Sequence, residues 1–148
     1  MADWAVTHKL WEKWVSNNLG ISGDPLKAAL LLNYDPAAPS RLTSVIAEQE
    51  GTSFKASELL PFLNFIKRNN LQAEFFFIGS SQYLVTSIHE HWFCARCINT
   101  SKPAGEGVLV MHMAAYLLIA MYEGSISSAT RAMVAVDQFA WQVSRRNH

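Results

Sequence analysis

The stretch GVLVMHMAAYLLIAMYE, residues 107–123, holds two apolar runs, Val108 to Met113 and Tyr116 to Tyr122, separated by Ala114-Ala115. Runs this short favour strands over helices, and so brief a connection forces them to lie antiparallel. The same rhythm extends upstream. Phe75 to Ile78, Tyr83 to Ile88 and His91 to Ile98 are further runs, broken by Gly79-Ser80-Ser81, by His89-Glu90 and by the loop from Lys102 to Gly107. Five consecutive strands of an antiparallel meander result.

Helical patterns flank this block. Ser127 to Arg146 reads as a closing helix capped by Ser127 or Ser128. Its residues Ala132, Met133, Val136, Phe139, Ala140 and Val143 share one arc. Before the strands, Ser57 to Arg68 is a second helix, with Pro61 tolerable only in its first turn. Ala28 to Leu32 is short enough for a buried strand, and Leu42 to Ile46 is the expected return strand after the turn signals Asp35, Pro36, Pro39 and Ser40. The chain opens on a helix from Trp4 to Leu19, where Trp4, His8, Trp11 and Val15 form one stripe and Leu10 and Trp14 widen it. The order is helix, two strands, helix, five strands, helix. That is an α+β chain whose terminal helices are free to share one face of the sheet.

Composition sets bounds on function. With 148 residues the chain fits one domain, and with 50% hydrophobic and 16% charged residues it can bury a substantial core. Twelve basic residues balance twelve acidic ones, which argues against nucleic-acid binding driven by an excess of cations. No apolar run approaches the roughly 18 residues of a membrane span. Met1 to Leu10 lacks a signal-peptide core, so a cytoplasmic protein is expected.

Other motifs carry less. Cys94-Ala-Arg-Cys97 matches a redox or zinc spacing, but inside a strand residues three apart point to opposite faces. His89, His91 and His112 lack carboxylates at metal-site spacing and read as turn and surface histidines. No serine nucleophile elbow, phosphate loop or paired-carboxylate pattern nominates an enzyme. Neither a metal nor a cofactor is expected.

Order and spacing together resemble the profilin family. Residues 107–123 look like that family's glycine-led hairpin ending in an aromatic-glutamate pair. Ile78 to Val85, IGSSQYLV, is similar to its glycine-rich strand turn, and Trp11-Glu-Lys-Trp14-Val15 with Leu19 to its N-terminal aromatic pattern. The resemblance implies a single domain over residues 1–148, with residues 1–10 an N-terminal extension. It implies a central antiparallel sheet with the N- and C-terminal helices side by side on one face and a further helix on the other. Departures are Gln82 where the family has lysine, Met111-His112-Met113 where it is lysine-rich, and no tryptophan near Leu42.

Two surfaces follow. Trp141 sits roughly 140° from the centre of the closing helix's apolar arc, on its polar side. Packed side by side, the terminal helices would bring Trp11, Trp14 and Trp141 together, outward-facing, as a polyproline-binding groove. Its indole N–H groups would donate to the carbonyls of an already extended ligand. The second surface, for monomeric actin, is implied by the resemblance alone: Gln82, Val85, Arg96, Glu106, Ser125, Ile126, Ser128 and Arg131. Val85 and Ile126 would supply apolar contact, and Arg96 and Arg131 would pair with acidic groups on actin. Without lysine at Gln82, electrostatic steering should be weaker.

The resemblance further implies a monomer that regulates actin polymerisation and engages proline-rich proteins such as formin-type nucleators. Phosphoinositide headgroups are a further implied ligand. Lys67-Arg68 and Arg145-Arg146 are the basic pairs available for them, although helix C-termini attract cations for dipole reasons alone. The competing assignment is a longin- or roadblock-like adaptor, which does not pair its terminal helices on one face.

Overall fold

The computed structural model describes residues 4–19, 25–33, 46–68, 75–113, 116–124 and 126–146. Helix α1 (Trp4–Asn18) leads into strands β1 (Ala28–Asn33) and β2 (Ile46–Glu50). A 3-10 turn (Ala56–Leu59) continues into helix α2 (Leu60–Arg68). The meander follows as β3 (Phe75–Ile78), β4 (Ser81–Ile88), β5 (Trp92–Cys97), β6 (Glu106–Met113) and β7 (Tyr116–Glu123). Helix α3 (Ile126–Arg146) closes the chain.

The strands form one sheet in the order β2-β1-β7-β6-β5-β4-β3, with every neighbouring pair antiparallel. The last strand therefore lies against the first. All three central strands are buried along almost their whole length, which is why β1, β6 and β7 read as unbroken apolar runs. Strands β3 and β5 instead alternate, with one face buried and the other open. The switch from continuous to alternating burial marks where helix cover ends.

Two apolar layers result. On one face the 3-10 turn and α2 bring Leu59, Phe62, Leu63 and Phe65 onto Leu30, Phe76, Ile78, Tyr83, Phe93 and Ile119. Phe65 and Phe76 stack with centroids 4.9 Å apart, and Phe76 stacks on Tyr83 at 5.4 Å. On the opposite face α3 packs over β6 and β7, and α1 packs beside α3. Pro61 stands in the first turn of α2, where its missing N–H costs nothing.

The two terminal helices are joined by aromatic packing. Trp11 and Trp14 have ring centroids 5.7 Å apart, and Phe139 of α3 sits 5.9 Å from the first and 4.9 Å from the second. Trp14 Nε1 donates to the Ala135 carbonyl at 2.7 Å. Aromatic contacts of this kind add ~0.5–1.5 kcal/mol beyond the area they bury. The other side of α1 is tied to the sheet edge by His8, whose Nδ1 lies 2.7 Å from Glu48 Oε1 of β2.

Two local expectations shift. The return strand of the first hairpin is Ile46–Glu50, later than the Leu42 to Ile46 run, and residues 42–45 lie outside the described residues. Its sequence IAEQE is polar because β2 is a sheet edge, only half-buried and held by its ladder with β1. Helix α3 begins at Ile126, so Ser127 and Ser128 are inside it rather than capping it. The preceding position, Ser125, lies outside the described residues.

Replacing Trp14 tests the helix pairing. Trp14→Ala is expected to cost about 3–5 kcal/mol through the void it opens. Trp14→Phe, which keeps most of the ring but loses the N–H donor, should cost about 1 kcal/mol. Urea melts followed by circular dichroism would show the two steps, and a Trp14→Phe variant as stable as the wild type would contradict a role for the hydrogen bond.

Candidate functional site

The junction of α1 and α3 differs from the expected open groove. Trp11 is 3% exposed and Trp14 4%, while Trp141 is 60% exposed. The outward-facing arrangement of Trp11 and Trp14 is thus corrected. Both rings are closed over by Phe139, and the Trp14 N–H that a peptide carbonyl would need is already donated to Ala135. Nor do the three tryptophans converge. Two positions along a helix amount to about 200° of rotation, so Trp141 faces away from the side on which Phe139 holds the other two. Its exposed companions on α3 are Val134, Asp137 and Gln138. Only the rim of Trp11 reaches an open groove of about 380 Å³ between α1 and β2, lined also by His8, Glu12, Val15, Ser16, Glu48, Gln49 and Glu50.

The second surface is the part of the sheet that α3 leaves uncovered. Direct cross-strand partners share a face. One row therefore runs Phe75, Leu84, Arg96, Gly107, Tyr122 from β3 to β7, and beside it Phe77 pairs with Gln82. Tyr122 belongs to the layer under α1 and α3, which fixes the side on which the row lies. Gln82 and Arg96 are accordingly on one open face. Val85 is not. It is buried among the residues under α2, because Tyr83 and Val85, before the bulge in β4, point to the opposite side. The expected apolar contact through Val85 is corrected on that ground.

Arg96 is half-buried and engaged within the chain. Its Nη1 donates to the Gly124 carbonyl at 2.8 Å and to the Tyr122 hydroxyl at 3.2 Å, and its guanidinium carbon lies 5.7 Å from the Tyr122 ring centroid. This fastens the turn between β7 and α3. Gly124, at φ 120°, occupies a conformation that suits glycine. Gly107 is required for a different reason: a Cβ there would run into the Tyr122 hydroxyl and approach the Ala95 carbonyl to 2.9 Å. Beyond the turn, Ser128 is half-buried and Arg131 exposed on α3. Ser125 and the side chain of Ile126 lie outside the described residues, as do the side chains of Lys67, Arg68, Arg145 and Arg146.

Glu106 is the centre of a charged cluster at the same end of the sheet. Its carboxylate accepts from Lys27 Nζ and from Thr100 Oγ1, while Glu123 lies 4.0 Å from Lys27 and 3.6 Å from Lys102. Burial alone would raise the Glu106 carboxyl. The hydrogen bonds from Lys27 and Thr100 and the charges of Lys27 and Lys102 outweigh it and hold the group below its ordinary 4.5. The participation of Lys27 had no local sequence signal, because it stands 79 positions from Glu106. Arg96 and Glu106 thus shape the surface through bonds inside the chain.

The discounted motifs are also placed. Cys97 lies under α2 and Cys94 on the other face, both as free thiols, and burial raises the Cys94 thiol. His89 stacks on Trp92 with centroids 3.8 Å apart. Among the described residues no helix is long and apolar enough to cross a membrane.

A seven-stranded antiparallel sheet with the two terminal helices paired on one face is an α+β fold, and comparison with known proteins identifies its family. The Profilin family model matches residues 9–147, and the chain belongs to the profilin family. Among solved structures it is similar to Acanthamoeba castellanii profilins IB, II and IA. Each has a TM-score of 0.62 at 15% identity, over 93% of this chain and 99% of the other. No curated protein matches the sequence. Family membership carries a profilin-like actin-binding role in general and sets aside the longin- or roadblock-like assignment.

The depressed Glu106 carboxyl has a pH signature. Such a group contributes stability that is complete above its ordinary 4.5 and is lost as pH falls through its lower folded value. Glu106→Gln should therefore destabilise the protein by about 1–2 kcal/mol at neutral pH and flatten the acid limb of its stability profile. Thermal melts from neutral to acid pH check this, and an unchanged neutral Tm would contradict it.

Proposed function

We propose that this profilin binds monomeric actin through the open face of β4 and β5 together with the first turns of α3, and thereby regulates actin polymerisation. The observation that carries the reading is the step in helix cover: α3 packs chiefly on β6 and β7 and leaves Gln82, Leu84 and Arg96 partly open beside Ser128 and Arg131. A binding role needs such a broad open surface. Arg131 is the exposed cation on it, and Arg96 holds the turn from which α3 and its contact residues start.

Proline-rich segments, such as those of formin-type nucleators, are the proposed second ligand. Trp141 carries this reading, since a largely exposed indole on the polar side of a helix offers the flat ring that a polyproline II helix packs against. Trp11 and Trp14 act beneath it by holding α1 on α3. A cytoplasmic, monomeric protein working without a cofactor is consistent with both ligands.

Both readings are open to simple tests. Micromolar protein should slow spontaneous assembly of pyrene-labelled actin, and no effect at any concentration up to a large excess would refute actin binding. Separately, a proline-rich peptide should change the intrinsic tryptophan fluorescence of the wild type. Trp141→Ala should abolish that change while leaving the melting curve intact, and a persisting change would assign the ligand elsewhere.

A further inference from the structure

The open face carries more apolar surface than Gln82 and Arg96 suggest. Phe75 and Phe77 of β3 are 48% and 44% exposed, and Ile98 is also exposed. Alternation directs Phe76 and Ile78 under α2 and turns Phe75 and Phe77 to the other side. Register then makes Phe77 the direct partner of Gln82, and sets Phe75 in the row Leu84, Arg96. Ile98, just past β5, continues the ladder by donating its N–H to the Gln82 carbonyl at 2.9 Å. Two phenylalanines at successive outward positions, with an isoleucine across Gln82 from them, make an exposed apolar patch of the kind that marks an interaction site.

We infer that the edge phenylalanines Phe75 and Phe77, with Ile98, supply the apolar centre of the actin-binding surface, in the place that Val85 cannot fill. This rests on the actin-binding reading above. Continuity selects the occupant: the three side chains adjoin Gln82 and Arg96 in register on the same open face, so an actin monomer seated on those residues covers the phenylalanines as well. The neighbouring charges point the same way. Gln82 is neutral, and the Arg96 guanidinium is half-buried and held back by the Gly124 carbonyl and the Tyr122 hydroxyl. Binding is therefore driven mainly by apolar burial, with Arg131 of α3 as the exposed cation at its margin, and it depends only weakly on salt.

The test is monomeric actin binding by the full chain, wild type against the double variant Phe75→Ser/Phe77→Ser, at low and high salt. The double variant should bind at least about tenfold more weakly, as expected when two large apolar contacts are lost. Wild-type affinity should change less than about twofold across the salt range. Ile98→Ser, on the neighbouring strand, is the second variant and should weaken binding in the same direction. Unchanged melting curves, and unchanged proline-peptide fluorescence through Trp141, establish that the variants are folded. A wild type that binds actin while the folded double variant binds equally well overturns the inference and leaves the actin reading standing. A wild type that does not bind actin at all refutes both. A wild type whose sedimentation shows a dimer that the double variant abolishes assigns the patch to a second copy, and overturns the inference too.

Discussion

The docking of one chain end on the other is the contact on which the rest of the structure depends. Trp14 reaches from the first helix to the last, placing its ring on Phe139 and its N–H on the Ala135 carbonyl. This bond joins residues 121 positions apart, with the whole sheet lying between them in sequence. Once made, it fixes α1 beside α3, and α3 over β6 and β7. The indole thereby trades any role in ligand capture for a structural one, because its only strong donor is consumed inside the protein.

The position of α3 divides the sheet into covered and open halves. Central strands β1, β6 and β7 are sealed on both sides, while the outer strands β3, β4 and β5 keep one face toward solvent. Arg96 stands at the boundary. It grips the Gly124 carbonyl and the Tyr122 hydroxyl, so the guanidinium sets where α3 starts and how much of the sheet it leaves bare. The Lys27, Glu106, Glu123 and Lys102 cluster braces the same end from strands distant in sequence. Charge here orders the scaffold, and the open face beside it is left largely apolar.

Much of the architecture was legible along the chain. Continuous apolar runs at Val108 to Met113 and Tyr116 to Tyr122 announced strands, and Pro61 marked the first turn of its helix. These are local properties, set by the pleat, by helix periodicity and by the missing proline N–H. The polar edge strand Ile46–Glu50 was less visible. Its stability comes from pairing with β1, and ladder hydrogen bonds leave no hydrophobic pattern behind.

The candidate surfaces were legible only in part. Helix periodicity alone placed Trp141 on a polar side, where it stands largely exposed. The same reasoning could not distinguish an offered ring from a covered one at Trp11 and Trp14, because the covering residue, Phe139, is remote in sequence. Three consecutive phenylalanines at 75–77 gave no apolar-polar contrast to say which faced out. What the sequence by itself determined was the order of elements and the kind of sheet, since period and turn chemistry act over a few residues. Only the tertiary structure decided which aromatic rings are buried and which are exposed, since burial depends on what a distant segment brings to lie on top.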